Sequence, residues 1–303
     1  MPEPVTVLAA DIGATSMRGG LVDDAGRILG RHRTTTLPDR GLPDAVERLA
    51  DLLEELRDGA APAPVAVGIS TAGPVDPATG VYRHPPNLPG WDGLTMQPIL
   101  AGLLGLPVVV GHDATLAAIA ECQFGHRRGA RDLIYLTVST GIGAGIVAGG
   151  RPVTGSNGGA GEAGHLIVNP GGARCAAGCP GCLEGAASGS AIARAARNAG
   201  LPCADATEVF AAADREPEAE RIVLEAMGHL ASGIAGLLAV FDPEAVILGG
   251  GVTEGLRPRW DALVTMVRER ALPRYADGLP VELTTLGDDA SLLGAAAIAL
   301  KLY

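Results

Sequence analysis

The apolar positions of this chain fall into short buried runs and one-sided stripes. Val5-Thr6-Val7-Leu8-Ala9-Ala10 is a compact run with β-branched members that stops at Asp11, the pattern of a buried strand. A turn at residues 12–18, a second apolar segment, a turn at Asp23-Asp24-Ala25-Gly26 and a third strand follow. Residues 42–57 place apolar side chains at helical spacing among charges and predict a surface amphipathic helix. Beyond an Ala/Pro linker at 59–64, VAVGIS (65–70) and residues 106–110 predict buried strands, the second running into a helix over 114–124. Residues 133–138, a Ser-Thr-Gly turn and Ile146-Val147 repeat the strand–turn–strand layout of the N-terminus. Helices are expected near 190–198, 207–213 and 219–241, a strand at 245–248, and a last helix capped by Asp289. That last helix is apolar almost all round, which predicts a place between layers.

Composition narrows the classes. The 303 residues suit two domains better than one core. No apolar run approaches the roughly 18–20 residues of a bilayer span, and MPEPVTVLAADIG lacks the pattern of a secretory signal, so a cytoplasmic protein with no membrane partner is expected. Three of the five cysteines fall between Cys175 and Cys182, which suits metal-bound thiolates in a reducing compartment better than a disulfide framework. A net charge of −11 without a basic stripe argues against nucleic acid as partner. Lys301 is the sole lysine, which excludes a Walker A loop, a protein-kinase strand lysine and an internal Schiff base. Nucleotide phosphates would have to be met by backbone amides, hydroxyls, arginine and metal.

Several stretches can supply that chemistry. Asp11 stands at the tip of the first strand, before Gly13, Thr15 and Ser16, which offer close backbone approach and hydroxyl donors to an anion. Asp11 can hold a hydrated Mg²⁺, or it can be an ordinary turn former. The second hairpin carries Ser139, Thr140 and Gly141. Two such hairpins suggest duplicated halves facing one nucleotide. The rigid proline-rich loop around residues 84–91 is suited to present Asn87 to a ligand, or is a plain solvent loop. Asp113 occupies a strand-to-helix junction, where it is either an N-cap or a catalytic carboxylate. Gly249, Gly250 and Gly251 end a strand and would let a flat ring or ribose lie on the backbone. Residues 158–184 hold Glu162, His165, Cys175, Cys179, Cys182 and Glu184; one histidine and three cysteines are the donors of a closed tetrahedral zinc site.

In order and spacing, DIGATSMR, GPVD, PNLPGW, HDATLAA, TVSTGIGAGIV, GAGEAGH, GCLE and VILGGGV resemble the ROK family of sugar kinases and related repressors, of the actin-like/hexokinase ATPase superfamily. The resemblance implies an α/β, two-lobed actin-like ATPase (ribonuclease H-like) fold with its active site in the interdomain cleft. The expected lobes are residues 1–112 plus 290–303 and residues 113–289. It implies an ATP-dependent hexose kinase that phosphorylates a sugar hydroxyl, O6 of glucose being the first expectation, with N-acetylmannosamine, N-acetylglucosamine or another hexose, or sugar binding without catalysis, as alternatives. Asp11 would hold Mg²⁺, with Gly13, Thr15, Ser16 and Arg18 at the ATP phosphates and Thr140 and Gly141 in the second phosphate turn. Gly249, Gly250 and Gly251 would lie beside adenosine. Asp113 would be the general base, and Asn87, His112, Asp113, Glu162, His165 and Glu184 would meet the sugar. A structural Zn²⁺ and a homodimer are implied as well. The ROK repressors carry a winged helix ahead of the first strand; with ten residues before Asp11, the kinase branch is expected.

Three positions depart from the family pattern. Ala14 replaces a second glycine, a small change where φ is negative. His112 stands where the family has an asparagine that meets the sugar. The usual C-x-C-G-x-x-G-C becomes C-x3-C-x2-C, with Ala177 in the place of the middle cysteine. A rewound loop is expected to bring Cys179 into a His165/Cys175/Cys179/Cys182 site.

Overall fold

The computed structural model describes residues 4–76, 78–85, 88–156, 158–275 and 278–302. The first sheet begins with β1 (Thr6–Ile12), β2 (Ser16–Asp23) and β3 (Ile28–Thr35), an antiparallel meander. Then come α1 (Gly41–Arg57), β4 (Val67–Thr71), α2 (Gln97–Leu104), β5 (Val108–His112) and, with no loop between, α3 (Asp113–Gln123). Its strand order is β3-β2-β1-β4-β5, with β4 and β5 parallel to β1. Every position of β4 is buried, as continuous apolar runs require when both faces of a sheet are covered. Leu42, Val46, Leu49, Leu53 and Leu56 form the buried stripe of α1. Gly19 on β2 makes room for it, since a Cβ there would come 2.1 Å from the Leu52 side chain.

The second sheet repeats the plan. It contains β6 (Leu133–Val138), β7 (Ile142–Ala148) and the short β8 (Arg151–Pro152); then α4 (Leu183–Ala187), α5 (Gly189–Asn198), α6 (Ala206–Ala212) and α7 (Pro217–Phe241). β9 (Ala245–Gly249), α8 (Val252–Leu256), α9 (Trp260–Arg270), β10 (Val281–Leu283) and α10 (Ala290–Ala299) complete the chain. Read from its other edge, the order is β8-β7-β6-β9-β10, with an antiparallel β6–β7 hairpin and β9 and β10 parallel to β6. The duplication suggested by the two glycine hairpins is thus present as topology. α7 has the length and composition of a membrane span, with a window of mean hydropathy 1.6, but 61% of that window is buried and it packs with α4, α5, α6 and α9 as a core helix.

The chain divides into two compact units, Met1–Gly129 with Pro152–Ala160 and Asp288–Tyr303, and Ala130–Arg151 with Gly161–Gly287. The expected boundary before Asp113 is therefore displaced: α3 belongs with the first unit. The cause is the tight seat of α10, which lies between β4 and α3. A Cβ at Gly68 would sit 1.8 Å from the Ala295 carbonyl oxygen, and one at Gly294 would sit 2.0 Å from that of Leu116. The apolar last helix is layered as expected, but Asp289 does not cap it through its side chain. Its carboxylate instead takes a bidentate pair from Arg31 at 2.6 and 2.7 Å.

Candidate active site

In the first unit the β1–β2 register places Asp11 opposite Arg18. Arg18 Nη2 donates to Asp11 Oδ2 at 2.5 Å, and Ser70 Oγ donates to Oδ1 at 2.9 Å. Ser70 escaped the sequence reading; a buried polar pair, Ser70-Thr71, closing an otherwise apolar strand was the available signal. The hairpin tip is closed by Gly13 N–H on the Ser16 carbonyl (2.9 Å) and held from beyond β3 by Thr36, whose hydroxyl donates to the Gly13 carbonyl at 2.6 Å. Ala14 is absent from the positive-φ residues, so its methyl is accommodated without strain. Thr15 is exposed, and Ser16 Oγ accepts from Arg33 Nη2 at 3.2 Å. A half-buried carboxylate beside hydroxyls and a guanidinium fits a hydrated Mg²⁺ and the phosphates it accompanies.

Sheet register carries this edge across to β5. Asp11 pairs with Ser70 and Ser70 with Gly111; Ile12 pairs with Thr71 and Thr71 with His112. Asp11 and the His112-Asp113 junction therefore lie at the C-terminal edge of three parallel strands, two strand spacings or roughly 10 Å apart. Open α/β sheets present their ligands at that edge. Asp113 is the first residue of α3 rather than its N-cap; that position is His112, with no side-chain cap bond. Asp113 Oδ1 accepts from Ala114 N–H at 2.6 Å and faces His112 Nε2 at 3.2 Å. Asn87 lies outside the described residues. The loop beside it is anchored by fully buried Leu88 and Trp91. Tyr82 meets Trp91 edge-on, with centroids 5.3 Å apart, and its hydroxyl shares a 2.9 Å hydrogen bond with Thr71. Burial pushes the Tyr82 hydroxyl far above its ordinary range, so it stays protonated.

In the second unit the β6–β7 turn is closed by Ser139 N–H on the Gly141 carbonyl at 2.9 Å, and Ser190 N–H donates to the Thr140 carbonyl at 3.3 Å. Thr140 is exposed. Glu184, in the first turn of α4, accepts the Ile142 N–H through Oε2 at 3.0 Å. It braces the turn, a job that its sequence position did not reveal. A Cβ at Gly141 would come 2.6 Å from that oxygen. Gly161 and Gly164 let their loop lie on β7, where a Cβ would meet the carbonyl oxygens of Ala144 (2.4 Å) and Ile142 (2.1 Å). The loop presents Glu162 and His165, with His165 Nε2 3.8 Å from Glu162 Oε2. The glycine triplet divides its work differently from expectation. Gly249 yields to the Tyr135 hydroxyl (1.9 Å) and Gly250 (φ 92°) to the Val138 carbonyl (2.5 Å), while a Cβ at Gly251 would fit in ordinary contact, 4.0 Å from Ser139 Oγ. Packing, and not a ligand alone, demands the first two.

The other ring nitrogen of His165 turns to the cysteines. Nδ1 lies 3.8 Å from Cys175 Sγ, and the donors of His165, Cys175 and Cys179 all fall within 4.8 Å of one another. Cys179 reaches this position because the loop closes on itself, Cys175 N–H donating to the Cys179 carbonyl at 3.1 Å and Gly178 N–H to that of Cys175 at 3.0 Å. Cys182 is not within that group. It is the N-cap of α4, its sulfur accepting Gly185 N–H at 3.4 Å. Burial raises the Cys179 and Cys182 thiols, and the Cys175 thiol beside them raises them further. Such mutually repelling thiols suit a cation that stabilises their charged forms, and the donor types are those of zinc.

Comparison with known proteins agrees with this architecture. The family model described as the ROK family matches residues 7–302. A glucokinase of Thermotoga maritima is 34% identical, the match covering 98% of both chains. An N-acetylmannosamine kinase of Citrobacter koseri is 37% identical over 97% of this chain and 99% of its own. The crystal structure of a ROK family glucokinase from Streptomyces griseus, in complex with glucose and AMPPNP, superimposes with a TM-score of 0.84 at 31% identity over 98% of this chain and 99% of that one. With the duplicated sheets, the paired hairpins and a match along nearly its whole length, the chain belongs to the ROK family and has the actin-like ATPase fold.

Proposed function

We propose that this ROK sugar kinase transfers the γ-phosphoryl group of ATP to a hexose hydroxyl, O6 of glucose first, with Asp113 as general base. One observation carries the reading: Asp11 and Asp113 share the C-terminal edge of one sheet, roughly 10 Å apart, which suits a phosphate-bound cation at one end and an acceptor hydroxyl at the other. Phosphoryl transfer has a loose transition state, so positioning and charge neutralisation dominate its catalysis. Asp11 would hold Mg²⁺, whose chemistry is to neutralise phosphate charge. Gly13, Thr15, Ser16 and Arg18 from one hairpin, and Thr140 and Gly141 from the other, would hold the phosphates. Gly251, with Gly249 and Gly250 shaping the bend, would lie beside adenosine. Asp113 would take the proton of the acceptor hydroxyl, while Asn87, Glu162, His165 and Glu184 orient the ring.

His165, Cys175, Cys179 and Cys182 would hold a structural zinc that fixes the loop bearing His165. The Gly185 N–H on Cys182 is compatible with ligation, because such bonds stabilise a thiolate. Five free cysteines suit a reducing cytoplasm, and the family implies a homodimer. Glucose is preferred because glucokinases are among the relatives and one was solved with glucose. The Citrobacter relative makes N-acetylmannosamine the second reading. The test is ADP release with ATP·Mg against glucose, N-acetylmannosamine, N-acetylglucosamine, allose and fructose, with ³¹P NMR of the product to locate the phosphate. Turnover with glucose and a 6-phosphate product is expected. Sugar binding with no ADP release from any member would leave a non-catalytic sugar binder instead.

A further inference from the structure

The β1–β2 tip is gripped from beneath by a residue to which the proposed function gives no part. Thr36, one residue beyond β3, is fully buried, and its hydroxyl and its N–H both serve the tip. The hydroxyl donates to the Gly13 carbonyl at 2.6 Å and the N–H to the Thr15 carbonyl at 3.0 Å. Arg48 of α1 holds Thr36 in turn: Nη2 donates to the Thr36 carbonyl, Nη1 to that of Thr35, and Nε to Asp44 Oδ2 at 2.8 Å. We propose that Thr36, backed by Arg48, is a positioning residue that aims the Ala14 amide at the nucleotide phosphates. The inference rests on β1–β2 being a phosphate turn.

The physical case lies in the peptide planes. In a trans peptide the carbonyl oxygen of one residue and the N–H of the next share a plane and point in opposite directions. A donor on the Gly13 carbonyl therefore sends the Ala14 N–H away from buried Thr36. Gly13 cannot serve an anion through its own amide, which is committed to the Ser16 carbonyl at 2.9 Å. The Ala14 amide has no acceptor among the described residues. Backbone donors facing outward from such a turn make an anion-binding concavity. Left alone, the Gly13–Ala14 peptide could rotate about its flanking torsions, and glycine makes that rotation easier. Thr36 removes the freedom. Its β-branched side chain has few χ1 states, and its carbonyl is gripped by a guanidinium that Asp44 of the same helix steadies. Leu37 follows at φ 48°, ψ 58°, a left-handed conformation uncommon for leucine, which turns the chain out of the line of β3 directly after the clamp.

The experiment compares Thr36→Val, which keeps the shape and loses the hydroxyl, with Thr36→Ser, which keeps the hydroxyl. Calorimetric titration uses AMPPNP·Mg and, separately, AMP, which retains adenosine and lacks the β- and γ-phosphates. Thr36→Val is expected to weaken AMPPNP·Mg about tenfold and to leave AMP within about twofold, with Thr36→Ser recovering most of the loss. Arg48→Met should weaken AMPPNP·Mg about threefold, again sparing AMP. It carries the comparison should Thr36→Val fail to fold by circular dichroism. In steady-state kinetics the KM for ATP should rise in the same order, with the glucose KM within about twofold. Unchanged AMPPNP·Mg affinity in the folded variants, or an equal loss for AMP, overturns the proposal, the latter making Thr36 a residue of general packing. Parent protein that binds AMPPNP·Mg no tighter than AMP would instead remove the phosphate reading beneath it.

Discussion

The two glycine hairpins share a topology and differ in chemistry. Tip for tip, β1–β2 carries Asp11, Ser16 and Arg18, with Asp11 held by a guanidinium and the Ser70 hydroxyl. The β6–β7 tip carries Ser139, Thr140 and Gly141 without a charge of its own, and borrows one from Glu184 through the Ile142 amide. If both hairpins meet phosphate as proposed, a duplicated scaffold would do so in two ways. In the proposed reading one would work through ionised side chains and a cation, the other through backbone amides and a hydroxyl whose turn is braced from behind. The glycine demands differ accordingly. The first turn accepts Ala14, while the second has no room for a methyl at Gly141 unless Glu184 moves.

This asymmetry can be broken in graded ways. The largest effect is expected at the sheet that bears the charged hairpin: Asp113→Asn should lower kcat by roughly 10² to 10⁴ with the fold retained, measured by coupled ADP release and circular dichroism. Asp11→Asn should cost about a hundredfold in kcat/KM for ATP, against no more than about tenfold for Thr140→Val. Equal losses in those two variants would mean that the hairpins are chemically equivalent after all.

The cysteine loop comes next. Cys179→Ser should drop bound zinc, measured by elemental analysis, to well below one per chain and weaken glucose binding through His165. Cys203→Ser should leave both unchanged, because Cys203 lies outside the donor group. Gly141→Ala should push Glu184 off the Ile142 N–H and raise the KM for ATP about threefold or more, since one hydrogen bond to a charged group is lost. The smallest effect is reserved for Ala14→Gly. Its kcat should stay within about twofold of the parent, with a melting temperature no higher, because glycine adds freedom to the unfolded chain. A large gain in activity there would show that the methyl does obstruct phosphate.

Much of this layout was legible in the chain. The α1 stripe, the buried strands and the strand–turn–strand repeats depend on side chains at fixed local spacing, so they appear where the pattern puts them. Short elements were not legible. α4 and α8 span five residues each and β10 three, too few for a period to show, and they form because neighbours cover them. At the site, Asp11, Asp113, Glu162 and His165 stood out as polar residues at strand ends or between glycines. Ser70 did not, since one hydroxyl at the end of an apolar run is an ordinary sight. Glu184 did, but not for the turn it braces.

The sequence by itself determined the two hairpins, the strands that carry them and the inventory of acids, hydroxyls and thiols, because each follows from local periodicity and side-chain chemistry. Tertiary structure alone decided the rest. It assigned α3 to the first unit through the close seating of α10 on Gly68 and Gly294, gave Gly249 and Gly250 to packing, turned Cys182 to the α4 N-terminus and aimed His112 at Asp113. The first three follow from which surfaces meet in a close-packed interior, where a missing Cβ matters only against a particular partner atom. The last depends on the sheet register that fixes the end of β5 beside α3.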